Sequence, residues 1–188
     1  MEESDATAIA LAKAGDSDGF RILVERHSRS VFRLAYRMTG NEADAEDVVQ
    51  ETFLRAHRTL ATYESRSAFS TWLYRIAANY ALDLLRARKR QDERQVRGTE
   101  EVNGIFDRLP ANDPTPDRLL QNKQITIRLH SAMRELSEQE RTAFVLRHFE
   151  GLSIEEIGSV LNTGQSATKN SIFRAVRKLR EALEPLLV

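Results

Sequence analysis

Apolar side chains recur at three- and four-residue intervals through much of the chain, the spacing that lines one side of an α-helix. Asp16 can cap a helix carrying Phe20, Leu23 and Val24, and a second run of Val31, Phe32, Leu34, Ala35 and Met38 ends at Gly40. Asn41 then caps a stripe of Val48, Val49, Phe53, Ala56 and Leu60. A fourth helix is predicted from Ser67 or Ser70 to about Glu93, with Trp72, Ile76, Tyr80 and Leu84 along one side. Between Gln95 and Asn122 the period vanishes, and Gly98, Gly104, Pro110, Pro114 and Pro116 collect beside Asn112 and Asp113. That stretch reads as a linker, with one short apolar cluster, Ile105, Phe106 and Leu109, able to dock locally.

The helical period resumes at Ile125, Leu129, Met133 and Leu136. Ser137 with Glu140, and Ser153 with Glu156, have the Ser-x-x-Glu form of a capping box, so helices are predicted to start at 138 and 154. A last helix is predicted from about Ser166 to Leu183, where Pro185 discourages continuation. The pattern predicts an all-α chain of two small helical domains, residues 1–95 and 123–188, joined by a linker at 96–122.

Residues 153–180 follow the plan of a helix-turn-helix: short helix, tight turn, longer basic helix. Ile154, Ile157 and Leu161 give the first helix a stripe to bury, and Asn162-Thr163-Gly164 supply the turn. With Ile172, Val176 and Leu179 inward, Gln165, Ser166, Thr168, Lys169, Ser171 and Arg174 are left for a DNA groove. A helical hairpin with a solvated basic face has the same pattern.

Charge sharpens this picture. Lys+Arg and Asp+Glu number 28 each, a balance that by itself argues against nucleic acid. The sum hides a partition, because residues 67–95 carry 6 basic and 3 acidic side chains and residues 161–188 carry 5 and 2. Two basic segments in an otherwise acidic chain suit a molecule that touches DNA in two places and another partner elsewhere. The chain has no cysteine, which excludes disulfides, thiolate metal sites and thiol nucleophiles. The acidic start, Met1-Glu2-Glu3-Ser4-Asp5, and the short apolar runs lead to the expectation of no export signal, no membrane insertion and a cytoplasmic protein.

Two helix faces in the first domain carry candidate chemistry. Asp44, Asp47, Glu51, Arg55 and Arg58 repeat at three and four, forming either a solvated face or a docking surface for a basic partner. On the fourth helix Arg75, Asn79, Asp83, Arg86 and Arg90 share a side, with Tyr63, Phe69 and Trp72 near its beginning. A cationic strip beside aromatics can track a phosphate backbone and receive an unpaired base, although Phe69 and Trp72 also suit a core.

Three ordered blocks resemble the extracytoplasmic-function sigma family over nearly the whole chain. They are Asp44-Ala45-Glu46-Asp47-Val48-Val49-Gln50-Glu51-Thr52-Phe53-Leu54-Arg55-Ala56, then Phe69-Ser70-Thr71-Trp72-Leu73-Tyr74-Arg75-Ile76-Ala77-Ala78-Asn79 with Asp83-Leu84-Leu85-Arg86, then Phe149-Glu150-Gly151-Leu152-Ser153-Ile154-Glu155-Glu156-Ile157 with Arg174-Ala175. The resemblance implies a sigma domain 2 bundle, a linker and a sigma domain 4 helix-turn-helix bundle. By it, Asp44, Asp47, Gln50, Glu51 and Arg55 face the clamp helices of the largest subunit of core RNA polymerase. Tyr63, Phe69, Trp72, Arg75, Asn79, Asp83 and Arg86 open the minus-ten element as single-stranded DNA. Gln165, Ser166, Thr168, Lys169, Ser171, Arg174, Arg177 and Lys178 read the minus-thirty-five element as duplex. An anti-sigma factor is the further partner implied. The reading helix departs from the family's Ser-x-Gly-Thr-Val-Lys-Ser-Arg run: Lys169 is retained, but Ser171 stands where an Arg is usual.

No catalytic role is expected, because His27, His57, His130 and His148 are scattered and no P-loop or GxSxG run occurs. No metal or cofactor is implied. Two other readings remain, a sigma mimic that binds an anti-sigma factor without DNA and a dimeric helix-turn-helix repressor. Promoter retention that requires core polymerase distinguishes the sigma factor from both.

Overall fold

The structure is a computed structural model that describes residues 5–94, 125, 127–129 and 131–186, with the backbone alone for 92–94 and 186. All regular elements among these residues are helical. The expected linker, with its Ile105, Phe106 and Leu109 cluster, lies outside the described residues.

Four helices form the first group: α1 (Asp5–Lys13), α2 (Ser17–Thr39), α3 (Glu42–Thr59) and α4 (Phe69–Arg94). The runs at Phe20 and at Val31 belong to one helix, α2, because residues 25–30 contain neither Gly nor Pro to interrupt it. The Asp16 carboxylate accepts from the Asp18 amide at its start, and Gly40 ends it in the left-handed region at φ 68°. Asn41 caps α3 by accepting from the Asp44 amide. Helix α1 is not legible from the apolar pattern: its short, alanine-rich segment buries only Ala8 and Ile9. It lies so close to α2 that a Cβ on Gly19 would stand 2.6 Å from the Ala12 nitrogen. Leu23, Val31, Leu34, Met38, Val48 and Leu73 are fully enclosed where these helices meet. Burying each such side chain stabilises by about 1.5–3 kcal/mol.

The second group comprises helical residues at 127–129 and 131–135, designated α5, then α6 (Glu138–His148), α7 (Ile154–Leu161) and α8 (Gln165–Leu183). Helices start at 138 and 154 as the Ser-x-x-Glu spacing predicts. In both boxes the serine hydroxyl accepts from the glutamate amide and the glutamate carboxylate accepts from the serine amide. Val145, Leu146, Ile157 and Val160 are fully buried, with Leu179 of α8 closing the core.

The two groups pack against each other. Helix α4 lies on α7, α2 lies on α6, and α8 rests on α6 and α7.

Candidate nucleic-acid and polymerase interfaces

On α3, Asp47 and Gln50 are exposed as a docking face requires. Glu51 is half-buried and accepts from the Arg55 Nε at 2.6 Å, while the Arg55 guanidinium lies 4.9 Å from the centre of the Tyr80 ring. Asp44 corrects the expectation. It is 3% exposed and ion-paired to Arg88 of α4, because the first turn of α3 is pressed against that helix. Leu54 is the residue the pattern misses. It stands 52% exposed one turn beyond Gln50 and puts an apolar contact on the same face. A leucine outside the buried stripe signals nothing in sequence until burial is known.

On α4, Arg75, Asn79 and Asp83 are exposed along one side. Arg86 lies 3.5 Å from Asp83 and, with its Nε, 3.5 Å from Glu138 of the second group. Trp72 is half-buried, with ring centres 5.1 Å from Tyr63 and 5.5 Å from Phe69. Tyr63 and Phe69 are themselves 6% and 3% exposed, so the structure removes them from the accessible surface. The Tyr63 hydroxyl donates to the Ser67 carbonyl at 2.7 Å, and Lys13 donates to the Tyr63 carbonyl. His27 of α2 meets the Phe69 ring edge-on at 5.3 Å. Two buried rings therefore support a third that is half open, near the start of the helix whose exposed side carries Arg75, Asn79 and Asp83.

Helix α8 starts at Gly164 with extended backbone, after Asn162 has turned the chain in the left-handed region at φ 53°. A Cβ on Gly158 would meet the Thr163 carbonyl at 2.8 Å, so only glycine lets α7 approach the turn this closely. Gln165, Ser166, Lys169, Arg174 and Arg177 are exposed, and Ser171 is half-buried. Gln165 donates to Glu155 at 3.1 Å, and Arg177 lies 3.7 Å from Glu181.

Of the expected DNA contacts, Thr168 is turned inward and Lys178, half-buried, is paired within the chain. Thr168 is fully buried, its hydroxyl donating to the Gly164 carbonyl at 3.1 Å and lying 2.9 Å from the Thr163 hydroxyl. It pins the turn, because a residue at the fourth position of α8 faces the preceding helix. Lys178 donates to Glu140 at 2.7 Å. Burial pushes the Glu140 carboxyl up, but the Lys178 ammonium and the Ser137 cap outweigh it and hold the carboxyl below its ordinary value. Phe173, 67% exposed, stands on the outer face one turn after Lys169, and the apolar pattern misses it by assigning such residues to the core. Among the described residues no group of His, Asp and Glu is placed to hold a metal ion, and no helix is long and apolar enough to cross a membrane.

Comparison with known proteins agrees with this arrangement. Residues 23–91 match Sigma-70 region 2 and residues 126–179 match Sigma-70, region 4. The chain is 34% identical to the RNA polymerase sigma-H factor of Pseudomonas aeruginosa over 99% of its own length and 97% of that protein. It is 32% identical to the ECF RNA polymerase sigma factor SigW of Bacillus subtilis, covering 99% of this chain and 100% of the relative. With the ECF RNA polymerase sigma factor SigE of Mycolicibacterium smegmatis the identity is 39%, over 86% of this chain but 60% of the longer relative. Among solved structures, CnrH in complex with the cytosolic domain of CnrY superposes with a TM-score of 0.68 at 28% identity, covering 97% of this chain and 99% of that one. An exposed basic helix on a glycine-packed turn, an aromatic-flanked polar helix and full-length likeness to SigW lead to one conclusion: this chain belongs to the extracytoplasmic-function sigma factors of bacterial RNA polymerase.

Proposed function

We propose that this sigma factor binds core RNA polymerase through α3, opens the minus-ten element on α4 and reads the minus-thirty-five element with α8. The observation that carries the reading is the outer face of α8, where Ser166, Lys169, Arg174 and Arg177 are exposed while Thr168, Ala175 and Leu179 are buried. Arginine and lysine can bond guanine edges or phosphate, and serine either base or backbone. Residues 1–95, 96–122 and 123–188 act as domain 2, linker and domain 4.

On α4 the exposed Arg75 meets phosphate, Asn79 offers a two-sided amide to an unpaired base, and Asp83 accepts from base amino groups. Trp72 supplies the stacking surface, with Tyr63 and Phe69 as its buried supports. Asp47 and Gln50, with Glu51 and Arg55 alongside, dock on the clamp helices of the largest subunit, and exposed Leu54 adds apolar area at that contact. Asp44 acts indirectly, fixing α3 to α4 through Arg88. Bond-making chemistry belongs to the polymerase, and this chain supplies binding energy and strand capture in the cytoplasm. An anti-sigma factor restrains it, a reading that rests on membership of the family.

The test is transcription from purified core enzyme and this chain on genomic fragments. Discrete starts with shared upstream sequences support the reading. Failure to join core enzyme, or joining without initiation anywhere in the source genome, would end it.

A further inference from the structure

Helix α1 is short and buries little, yet polar side chains at its two ends lead to the same place. At its last residue, Lys13 donates from Nζ to the Tyr63 carbonyl, and the ammonium lies 5.8 Å from the centre of the Tyr63 ring. At its first, Asp5 Oδ2 lies 2.9 Å from His27 Nε2, and the His27 ring meets Phe69 edge-on at 5.3 Å. Arg26 adds a second bond to the same carboxylate, on Oδ1 at 3.2 Å. Tyr63 and Phe69 are the two buried rings on which Trp72 rests. Helix α1 reaches the first of them directly and the second through one histidine.

The contact with Tyr63 fixes backbone as well as ring. Tyr63 follows a turn of 3-10 helix at Leu60–Thr62; its amide donates to the Leu60 carbonyl, and its own carbonyl takes the Lys13 ammonium. From there to α4 the chain is exposed at residues 64–68, and Ser65 sits in the left-handed region at φ 57°, which disfavours a residue with a Cβ. Tyr63 spans this segment, since its hydroxyl donates to the Ser67 carbonyl at 2.7 Å. A charge-assisted bond from Lys13 therefore holds one end of a segment whose other end the phenol holds. Gly19 leaves α1 no slack on α2, because a Cβ there would also stand 2.7 Å from the Ala8 carbonyl oxygen.

Stability is not what these contacts chiefly supply. Helix α1 buries only Ala8 and Ile9, Lys13 is exposed, and the Asp5 side chain is 38% exposed. Polar pairs so open to solvent contribute little to folding. What an aimed hydrogen bond or a ring-edge contact does set is direction, and a stacking surface depends on direction. We propose that α1 is a positioning element for strand opening: Lys13 through Tyr63, and Asp5 through His27 and Phe69, hold the Trp72 ring in the pose that receives an unpaired base, without touching DNA themselves. The hold on Trp72 stands on geometry alone; its use in opening rests on the function proposed above.

Trp72 is the single tryptophan of the chain, so its emission reports on this place directly. In the free full-length chain, Lys13→Met and Asp5→Ala should each move that emission to longer wavelength and raise its quenching by acrylamide. The helical circular dichroism and the urea midpoint should stay near those of the unmodified chain. With core polymerase, retention of promoter duplex and its salt dependence should be unchanged. Permanganate-reactive thymines in the minus-ten element should fall roughly tenfold, the worth of one stacked base. Emission and quenching unchanged in both variants would overturn the hold on Trp72. Altered emission with undiminished opening would overturn its use. A salt slope lowered by about one unit in Lys13→Met would make Lys13 a phosphate contact and remove it from the positioning role. If the unmodified chain opens no promoter with core enzyme while both variants still alter the emission, the proposed function fails, the opening role fails with it, and only the hold on Trp72 stands.

Discussion

At the scale of single residues, the cations of α8 divide by what they face. Lys178 belongs to Glu140, whose carboxylate is 8% exposed while the ammonium is 41% exposed. We expect Lys178→Ala to lower stability by about 1 kcal/mol, discounted for the exposed partner, with little change in the salt dependence of promoter binding. Urea denaturation and binding isotherms at two salt concentrations report the two effects separately. Arg174 is exposed and its side chain faces solvent, so Arg174→Ala should behave oppositely. It should cost about 1–3 kcal/mol of promoter binding if it contacts a base, or reduce the salt slope by about one unit if it contacts phosphate. Unchanged binding at both salt concentrations would remove it from the interface. The chain's local pattern does not separate the two, because Lys178 and Arg174 are one turn apart in sequence and only burial shows which has an internal partner.

At the scale of elements, the second group depends on its caps and its turn. Ser153→Ala removes one member of the α7 capping box and should cost about 1 kcal/mol in thermal or urea unfolding. Gly158→Ala should cost more than that, since the new methyl would meet the Thr163 carbonyl at 2.8 Å and push the turn from α7. Retention of wild-type stability in Gly158→Ala would show that the turn can yield. Acid acts on the same caps. Glu140 and Glu156 both ionise more readily folded than at the ordinary value of 4.5, Glu156 chiefly because it accepts from the Ser153 amide. Each therefore contributes stability that is complete above about pH 4.5 and lost as pH falls through the depressed folded values. A circular-dichroism titration should show the loss below that pH, and Glu140→Gln should flatten part of it.

At the scale of the whole molecule, one apolar core cluster runs through both helical groups, and the Arg37–Glu150 ion pair adds a polar contact between them. We expect calorimetry of the free chain to show a single unfolding transition that Arg37→Glu splits into two, each module then melting at its own temperature. Two transitions already present in the unmodified chain would mean that the contact contributes little to cooperativity.

Helix starts at Asp16, Asn41, Ser137 and Ser153, the all-α class and the family are legible in the chain, because caps and apolar periods are local and the family blocks are contiguous. The spacing of Lys169 and Arg174 among the apolar positions likewise places them on a helix surface by local pattern alone. What only tertiary packing decided is direction. Thr168 and Asp44 face inward, Tyr63 and Phe69 lie beneath Trp72, and Leu54 and Phe173 face outward. Which face of a helix is covered depends on neighbours far along the chain, just as Arg37 and Glu150 meet across 113 residues, and no local pattern of residues carries that information.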